Sequence, residues 1–232
     1  MQTVLVTGAT RGIGKSVAEK YKKEGYQVIG TGSKPFNAEY LDEYLQCDFA
    51  DPTEVEVLYQ TVKDRNVAIL INNAGINIID NFCSIDPDDF NKMHQVNVYA
   101  PFRLSQAVIP NMINNGWGRI VSVSSVWGKI SKQGRASYSA TKFAIDGLTL
   151  SMANEFASKG ILCNSVSPGF IDTSMTWRNL GTEGVEKMLE NVPIKRLAKV
   201  DEVAKLIYTL GSDENTYISG QNIAIDGGFT RA

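Results

Sequence analysis

Residues 4–14 read VLVTGATRGIG, three apolar residues and a threonine followed by glycines at 8, 12 and 14. A short apolar run that turns through glycines into helix-forming residues reads as strand, tight turn and helix. Glycine tolerates backbone conformations and close approaches that a Cβ would block. The helix start beyond it offers unpaired N–H groups and a positive dipole end, which suit a pyrophosphate. Three spaced glycines alone are weak evidence. At the end of the chain's first strand-like run they favour a nucleotide site built from Gly8, Thr10, Arg11, Gly12, Ile13 and Gly14.

Outward from this unit the same alternation continues. Short apolar runs at 3–7, 27–31, 44–47, 68–71, 119–124, 162–166 and 222–225 predict strands, and the stretches near 13–24, 53–65, 87–114, 138–159 and 200–210 predict helices. Continuous apolar strands alternating with helices imply a parallel sheet covered on both faces. Asp51-Pro52 and Asp86-Pro87 read as N-caps followed by proline at the first helical position. No linker or repeat divides the chain, so residues 1–232 are expected to form one domain. Segment 174–196, mixed in character with Gly181, Gly184 and Pro193, reads either as a substrate lid or as an irregular surface connection.

Composition narrows the function classes. Hydrophobic residues make up 43% and charged residues 21%, and the net charge is −2 with both signs scattered, so neither nucleic acid nor an anionic membrane is an expected partner. No apolar run reaches membrane-helix length, and the opening MQTVLVTG lacks the pattern of a signal peptide. Cys47, Cys83 and Cys163 are odd in number and far apart, which fits reduced thiols in a cytoplasmic protein.

The end of the second strand-like run reports on the nucleotide. A carboxylate there would bind the ribose 2′-hydroxyl of NAD and repel a 2′-phosphate. The chain instead reads Gly30-Thr31-Gly32-Ser33-Lys34. Hydroxyls at Thr31 and Ser33, with Lys34 and the nearby Arg11, favour NADP(H).

Tyr138 and Lys142 lie four apart in a helix-like segment, a spacing that places them on one face a turn apart. A free phenol titrates near pH 10, and an adjacent ammonium favours its ionised form. Tyr-x-x-x-Lys is common by chance. Its weight comes from Ser124-Ser125, which closes an apolar strand at the sheet edge where folds of this class bind ligands.

Taken together these segments resemble the short-chain dehydrogenases/reductases, of the one-domain type typified by 3-oxoacyl-carrier-protein reductases. The resemblance runs from Thr3 to Ile225-Asp226-Gly227-Gly228 through TGATRGIG at 7–14, Asp48, Asn72-Asn73-Ala74-Gly75, Asn97, SSVWG at 124–128, Tyr138-Ser-Ala-Thr-Lys142 and Pro168-Gly169. It implies a Rossmann-type, doubly wound, seven-stranded α/β fold. It also implies that Tyr138 passes the proton, Ser125 binds the substrate oxygen, Lys142 holds the nicotinamide ribose and lowers the phenol pKa, and Asn97 anchors a relay water. Asp48 and Phe49 would meet the adenine, and Asn73, Ala74 and Gly75 the adenosine ribose. Pro168, Gly169, Ile171 and Thr173 would border the nicotinamide. A homotetramer built on the helices near 87–114 and 138–159 and on the C-terminal strand is a further implication.

For substrate the resemblance implies a ketone–alcohol pair, with a 3-oxoacyl thioester first and a sugar or polyol as the alternative. A non-catalytic nucleotide sensor or scaffold is the reading from another class. Carrier-protein reductases of this kind carry basic residues before the Gly-Arg-Ile strand, where this chain reads Asn114-Asn115-Gly116-Trp117; only Lys159 keeps a cation at a second such position. Trp127, Phe170 and Trp177 are the candidate pocket residues. His94, the only histidine, sits in a helix-like stretch without a nucleophile motif, and neither the acidic group Asp86, Asp88, Asp89 nor any Cys/His spacing predicts a metal.

Overall fold

Seven strands pair in the order β3-β2-β1-β4-β5-β6-β7, every pairing parallel. They are β1 Thr3–Val6, β2 Gln27–Gly32, β3 Glu43–Gln46, β4 Val67–Asn72, β5 Gly118–Val123, β6 Ile161–Pro168 and β7 Asn222–Ile225. The structure is a computed structural model describing residues 1–231; Ala232, the last residue of the expected 1–232 unit, and the side chain of Asn179 lie outside the description. Strand order reverses between β1 and β4, so their connections leave in opposite directions and open a crevice at the strands' carboxyl ends.

The helices are α1 Gly12–Lys23, α2 Pro52–Lys63, α3 Pro87–His94, α4 Ala100–Asn115, α5 Ala136–Phe156, α6 Ser174–Leu189 and α7 Val200–Gly211. Alternation along the strands sorts the core into two layers. Leu5, Leu70 and Ile120 pack against Val55 and Leu58 of α2 and Leu104 and Met112 of α4. Val4, Val6, Ile69 and Val121 pack on the other face against Val17 and Tyr21 of α1 and Val203 and Ile207 of α7. All residues of β4 and β5 are buried, as strands covered on both faces must be.

The local signals act as read. The Asp51 carboxylate accepts from the N–H groups of Thr53 and Glu54, the Asp86 carboxylate accepts from that of Asp88, and prolines open both helices. Two expectations change. The helix expected across 87–114 is interrupted by a π-helical turn, Gln95–Tyr99, which widens the coil at Asn97. Segment 174–196 is mostly α6, broken at Gly181, whose φ of 64° lies in the left-handed region. The three cysteines are free, Cys47 and Cys163 buried and Cys83 exposed. Among the described residues no helix is long and apolar enough to cross a membrane.

Candidate active site

The loop after β1 is held by its own neighbours. Gly8 and Gly12 have φ values of 65° and 56°, and a Cβ on Gly14 would lie 2.2 Å from the Gly8 carbonyl oxygen. No other residue type fits at 14 without moving the turn. α1 starts at Gly12, with Gly14 in its first turn, no acidic residue there and no side chain capping it, so its N-terminal donors and dipole face the crevice. These features fit a dinucleotide pyrophosphate.

Several side chains expected to meet the ligand instead build this loop. The Thr31 hydroxyl is buried and accepts from the Gly8 N–H at 3.3 Å, so it is not free for a 2′-phosphate. Asn73 Nδ2 donates to the carbonyls of Thr7 (2.8 Å) and Gly8 (3.2 Å), and the N–H groups of Asn73 and Ala74 donate to the Thr7 hydroxyl. Thr7 was absent from the expected site, although a hydroxyl beside the first glycine was the available signal. Ser33 and Lys34 are exposed at the end of β2, and among the described residues neither Lys34 nor Arg11 pairs with a carboxylate. The exposed Asp48 accepts from the Ala50 N–H, while the Phe49 ring enters the core.

On the other side of the crevice, β6 ends at Pro168 and the chain turns through Gly169, where a Cβ would stand 2.8 Å from Asp226 Cα. Phe170 and the buried Ile171 follow. Thr173 caps α6, and its methyl lies 3.6 Å from where a Cβ on Gly12 would sit. The loops carrying residues 8–14 and 168–173 therefore face each other across one crevice.

β5 ends at Val123, and Ser124 and Ser125 follow it. Ser125 Oγ accepts from the Trp127 N–H at 3.2 Å. One turn of α5 then brings up Tyr138 and Lys142 together. The Lys142 ammonium is buried, donates to the Val123 carbonyl at 2.8 Å and stands 5.5 Å from the Tyr138 ring centre. Burial pushes its pKa down to about 8, with Asp146 opposing. The expected lowering of the phenol by this ammonium is corrected. Burial raises the Tyr138 pKa, and the pulls in the other direction come from the Ser125 hydroxyl and from Arg135. Lys142 spends one of its three donors on the Val123 carbonyl, and a second cation, Arg135, sits one turn before the tyrosine.

Asn97 reaches the same place through the π turn. Its side-chain oxygen accepts from the Ile76 N–H, and its nitrogen donates to the Ile76 carbonyl and to the Thr141 hydroxyl. A Cβ on Gly75 would lie 3.3 Å from Asn97 Oδ1 and 3.7 Å from Lys142 Nζ. Asp146, one turn beyond Lys142, accepts from Ser165 at 2.8 Å and from Asn222, tying α5 to β6 and β7. Ser165 and Asn222 lie far from Asp146 in sequence, and no signal linked them.

Beyond Ser125 a cavity of about 800 Å³ opens between Trp127, Phe170, Phe229 and the α6 residues Leu180, Gly184, Lys187 and Met188. The three aromatic rings stand edge to face, with centres 5.0–6.2 Å apart. Trp127 and Phe170 thus share one wall with Phe229, which the sequence reading missed. Trp177 does not join them: it is exposed, and its indole N–H donates to Asp172 at 2.7 Å. The His94 Nδ1–H donates to the Phe90 carbonyl at 3.0 Å within its own helix and makes no hydrogen bond to this set. Among the described residues no group of three or more His, Cys, Asp or Glu could hold a metal.

A family model described as "Enoyl-(Acyl carrier protein) reductase" matches residues 8–230. The chain is 37% identical to the 3-oxoacyl-acyl-carrier-protein reductase of Salmonella typhimurium, over 97% of this chain and 96% of that one. It is 36% identical to the enzyme of the same name from Escherichia coli, over 97% and 96%. Among solved structures it is similar to a gluconate 5-dehydrogenase from Burkholderia cenocepacia in complex with NADP and tartrate, with TM-score 0.90, 28% identity and coverage of 100% and 96%. A protein assigned as an NAD(P)-dependent gluconate 5-dehydrogenase from Beutenbergia cavernae, with NADP bound at low occupancy, gives TM-score 0.93, 29% identity and coverage of 100% and 97%.

Proposed function

Because the chain belongs to the short-chain dehydrogenase/reductase family, we propose that Tyr138, Ser125, Lys142 and Asn97 form its catalytic set. The chain is an NADP(H)-dependent oxidoreductase interconverting a ketone and a secondary alcohol. The observation that carries the catalytic assignment is the meeting of Ser125, Tyr138 and Lys142 at the carboxyl end of β5, on the rim of the crevice beside the glycine loop.

When bound, the nicotinamide supplies or accepts the hydride, and the protein orients both reactants and manages the proton. Tyr138 donates its phenolic proton to the nascent alkoxide in reduction and takes it back in oxidation. Burial raises its pKa, with the Ser125 hydroxyl and Arg135 pulling the other way. Ser125 hydrogen-bonds the same substrate oxygen. Lys142 would hold the nicotinamide ribose, and Asn97, whose side chain fixes the turn at Ile76, would anchor a relay water. The unpaired Lys34 and Arg11, with Ser33, select NADP(H) over NAD(H).

For substrate, the curated relatives support a 3-oxoacyl thioester. A sugar-acid or polyol substrate is the second reading, supported by the gluconate-dehydrogenase structures and by the uncharged Asn114-Asn115-Gly116-Trp117, whose Trp117 lies under the Arg119 guanidinium. Assaying NADPH oxidation with a thioester panel against a keto-sugar panel separates the two, and silence across both returns the protein to a nucleotide-sensing role. Residues 1–232 act as one domain, with α6 and the segment to 196 as the cavity's lid. Exposed Phe102, Phe143 and Leu150 on α4 and α5, and Tyr217 and Ile218 before β7, support a homotetramer, which light scattering tests. The protein is assigned to the cytoplasm, where its free thiols stay reduced.

A further inference from the structure

Two arginines in this protein are almost fully buried, Arg119 at 5% exposure and Arg135 at 6%. They are treated differently by their surroundings. The Arg119 guanidinium donates to the main-chain carbonyls of Ser212, Gly118, Gly160 and Asn215. Among the described residues the Arg135 guanidinium has no hydrogen-bond acceptor and no carboxylate, and its Nε is sealed from solvent without a partner. Its two Nη groups are not sealed in this way, so the guanidinium is desolvated around Nε yet open to an incoming partner at its fork, and a charge desolvated without a partner is costly.

The position of Arg135 says what that partner is attached to. It lies one turn before Tyr138 at the start of α5, close enough for each group's charge to shift the other's pKa. Its Cζ stands 5.7 Å from the Trp127 ring centre, and the Lys132 ammonium stands 5.3 Å from the same ring. Trp127 and Lys132 both line the cavity, whose other charges are Lys187, Lys195 and the single acidic Glu190. The glycine loop that fits the pyrophosphate lies on the far side of the crevice, after β1. A planar guanidinium is suited to bidentate binding of a carboxylate.

We propose that Arg135 binds a carboxylate carried by the substrate, holding it beside Trp127 while the carbonyl to be reduced faces Tyr138. The substrate class is then an oxo or hydroxy acid. This rests on the ketone–alcohol reading above and narrows it.

The test uses substrate pairs that differ in charge: acetoacetate against methyl acetoacetate, and dihydroxyacetone phosphate against dihydroxyacetone. NADPH oxidation is followed for wild type, Arg135→Gln and Arg135→Lys. Wild type should favour acetoacetate over its ester at least 10-fold in kcat/KM. Arg135→Gln should erase that preference, the acid losing at least 10-fold more than the ester and losing it through KM, and Arg135→Lys should restore part of it. Equal use of acid and ester by wild type overturns the proposal, as does an equal loss on both in Arg135→Gln, which marks a structural role. A preference confined to the phosphate pair overturns the carboxylate assignment. If none of these four compounds oxidises NADPH, the ketone–alcohol reading is judged separately on the thioester and keto-sugar panels, and tartrate titration followed by tryptophan fluorescence decides the Arg135 site. Binding by wild type that is lost in Arg135→Gln sustains the site, whereas equal or absent binding removes it.

Discussion

The Lys142 ammonium donates to the Val123 carbonyl at 2.8 Å, so the last residue of strand β5 is clamped to the second turn of α5. This ion is buried, and its pKa is pushed down to about 8 by burial. A depression of that size corresponds to about 3 kcal/mol held against the folded state below pH 8. Loss of the hydrogen bond costs about 1 kcal/mol.

Lys142→Met is therefore expected to lose activity yet gain about 2 kcal/mol of stability at pH 7. Between pH 8 and the ordinary lysine value of about 10.4 the unfolded chain keeps its proton while the folded chain releases it. Wild-type stability rises across that window, and the advantage of the variant shrinks. Urea titrations of both proteins at pH 7 and 9.5 check this. An advantage that grows with pH would contradict it.

Tyr138→Phe should reduce turnover by about 10²–10⁴-fold, the range spanned by a positioned general acid or base. NADPH affinity, measured by fluorescence, should stay within a factor of about three, because the hydroxyl manages the proton rather than the nucleotide. Turnover near the wild-type rate would remove the phenol from the mechanism.

The sheet could be read from the sequence because each buried strand is a continuous apolar run and each glycine-rich turn has a local cause. The order of the site motifs was readable for the same reason: Ser125, Tyr138 and Lys142 follow one another along the chain. The balance of charges was not. Spacing places Lys142 beside Tyr138, but whether an ammonium is free or committed to a carbonyl such as that of Val123 depends on three-dimensional packing. Spacing also could not show that the Thr31 hydroxyl turns inward to Gly8, or that Phe229 folds back against Trp127 and Phe170. The helix in 174–196 was obscured by Gly181 and Gly184, which lower helix propensity in a segment that forms one anyway.

Gly14→Ala introduces a methyl 2.2 Å from the Gly8 carbonyl oxygen and 2.4 Å from Asn73 Nδ2. Relieving that overlap should cost about 1–3 kcal/mol, as overpacking does, and should weaken NADPH binding at least tenfold. Gly116→Ala is the comparison: it has open space but a φ of 63°, so it should lose about 1 kcal/mol with cofactor affinity intact. Thermal melts and cofactor titration on both variants separate the two effects.

Lys34→Glu places a carboxylate at the end of β2, where a 2′-phosphate would be repelled. KM for NADPH should rise by about 10–100-fold while that for NADH falls or holds, read from steady-state rates with each cofactor. Unchanged discrimination would shift the selectivity to Arg11 and Ser33.

The loop after β7 closes one side of the cavity beyond Ser125. Gly227 packs under Ile194, the Ile194 N–H donates to the Gly227 carbonyl at 3.2 Å, and Phe229 supplies part of the cavity wall. All seven strands are complete before this point. Trimming from residue 229 onward with a carboxypeptidase would thus leave the scaffold folded but open one side of the chamber, so melting temperature and substrate choice should come apart.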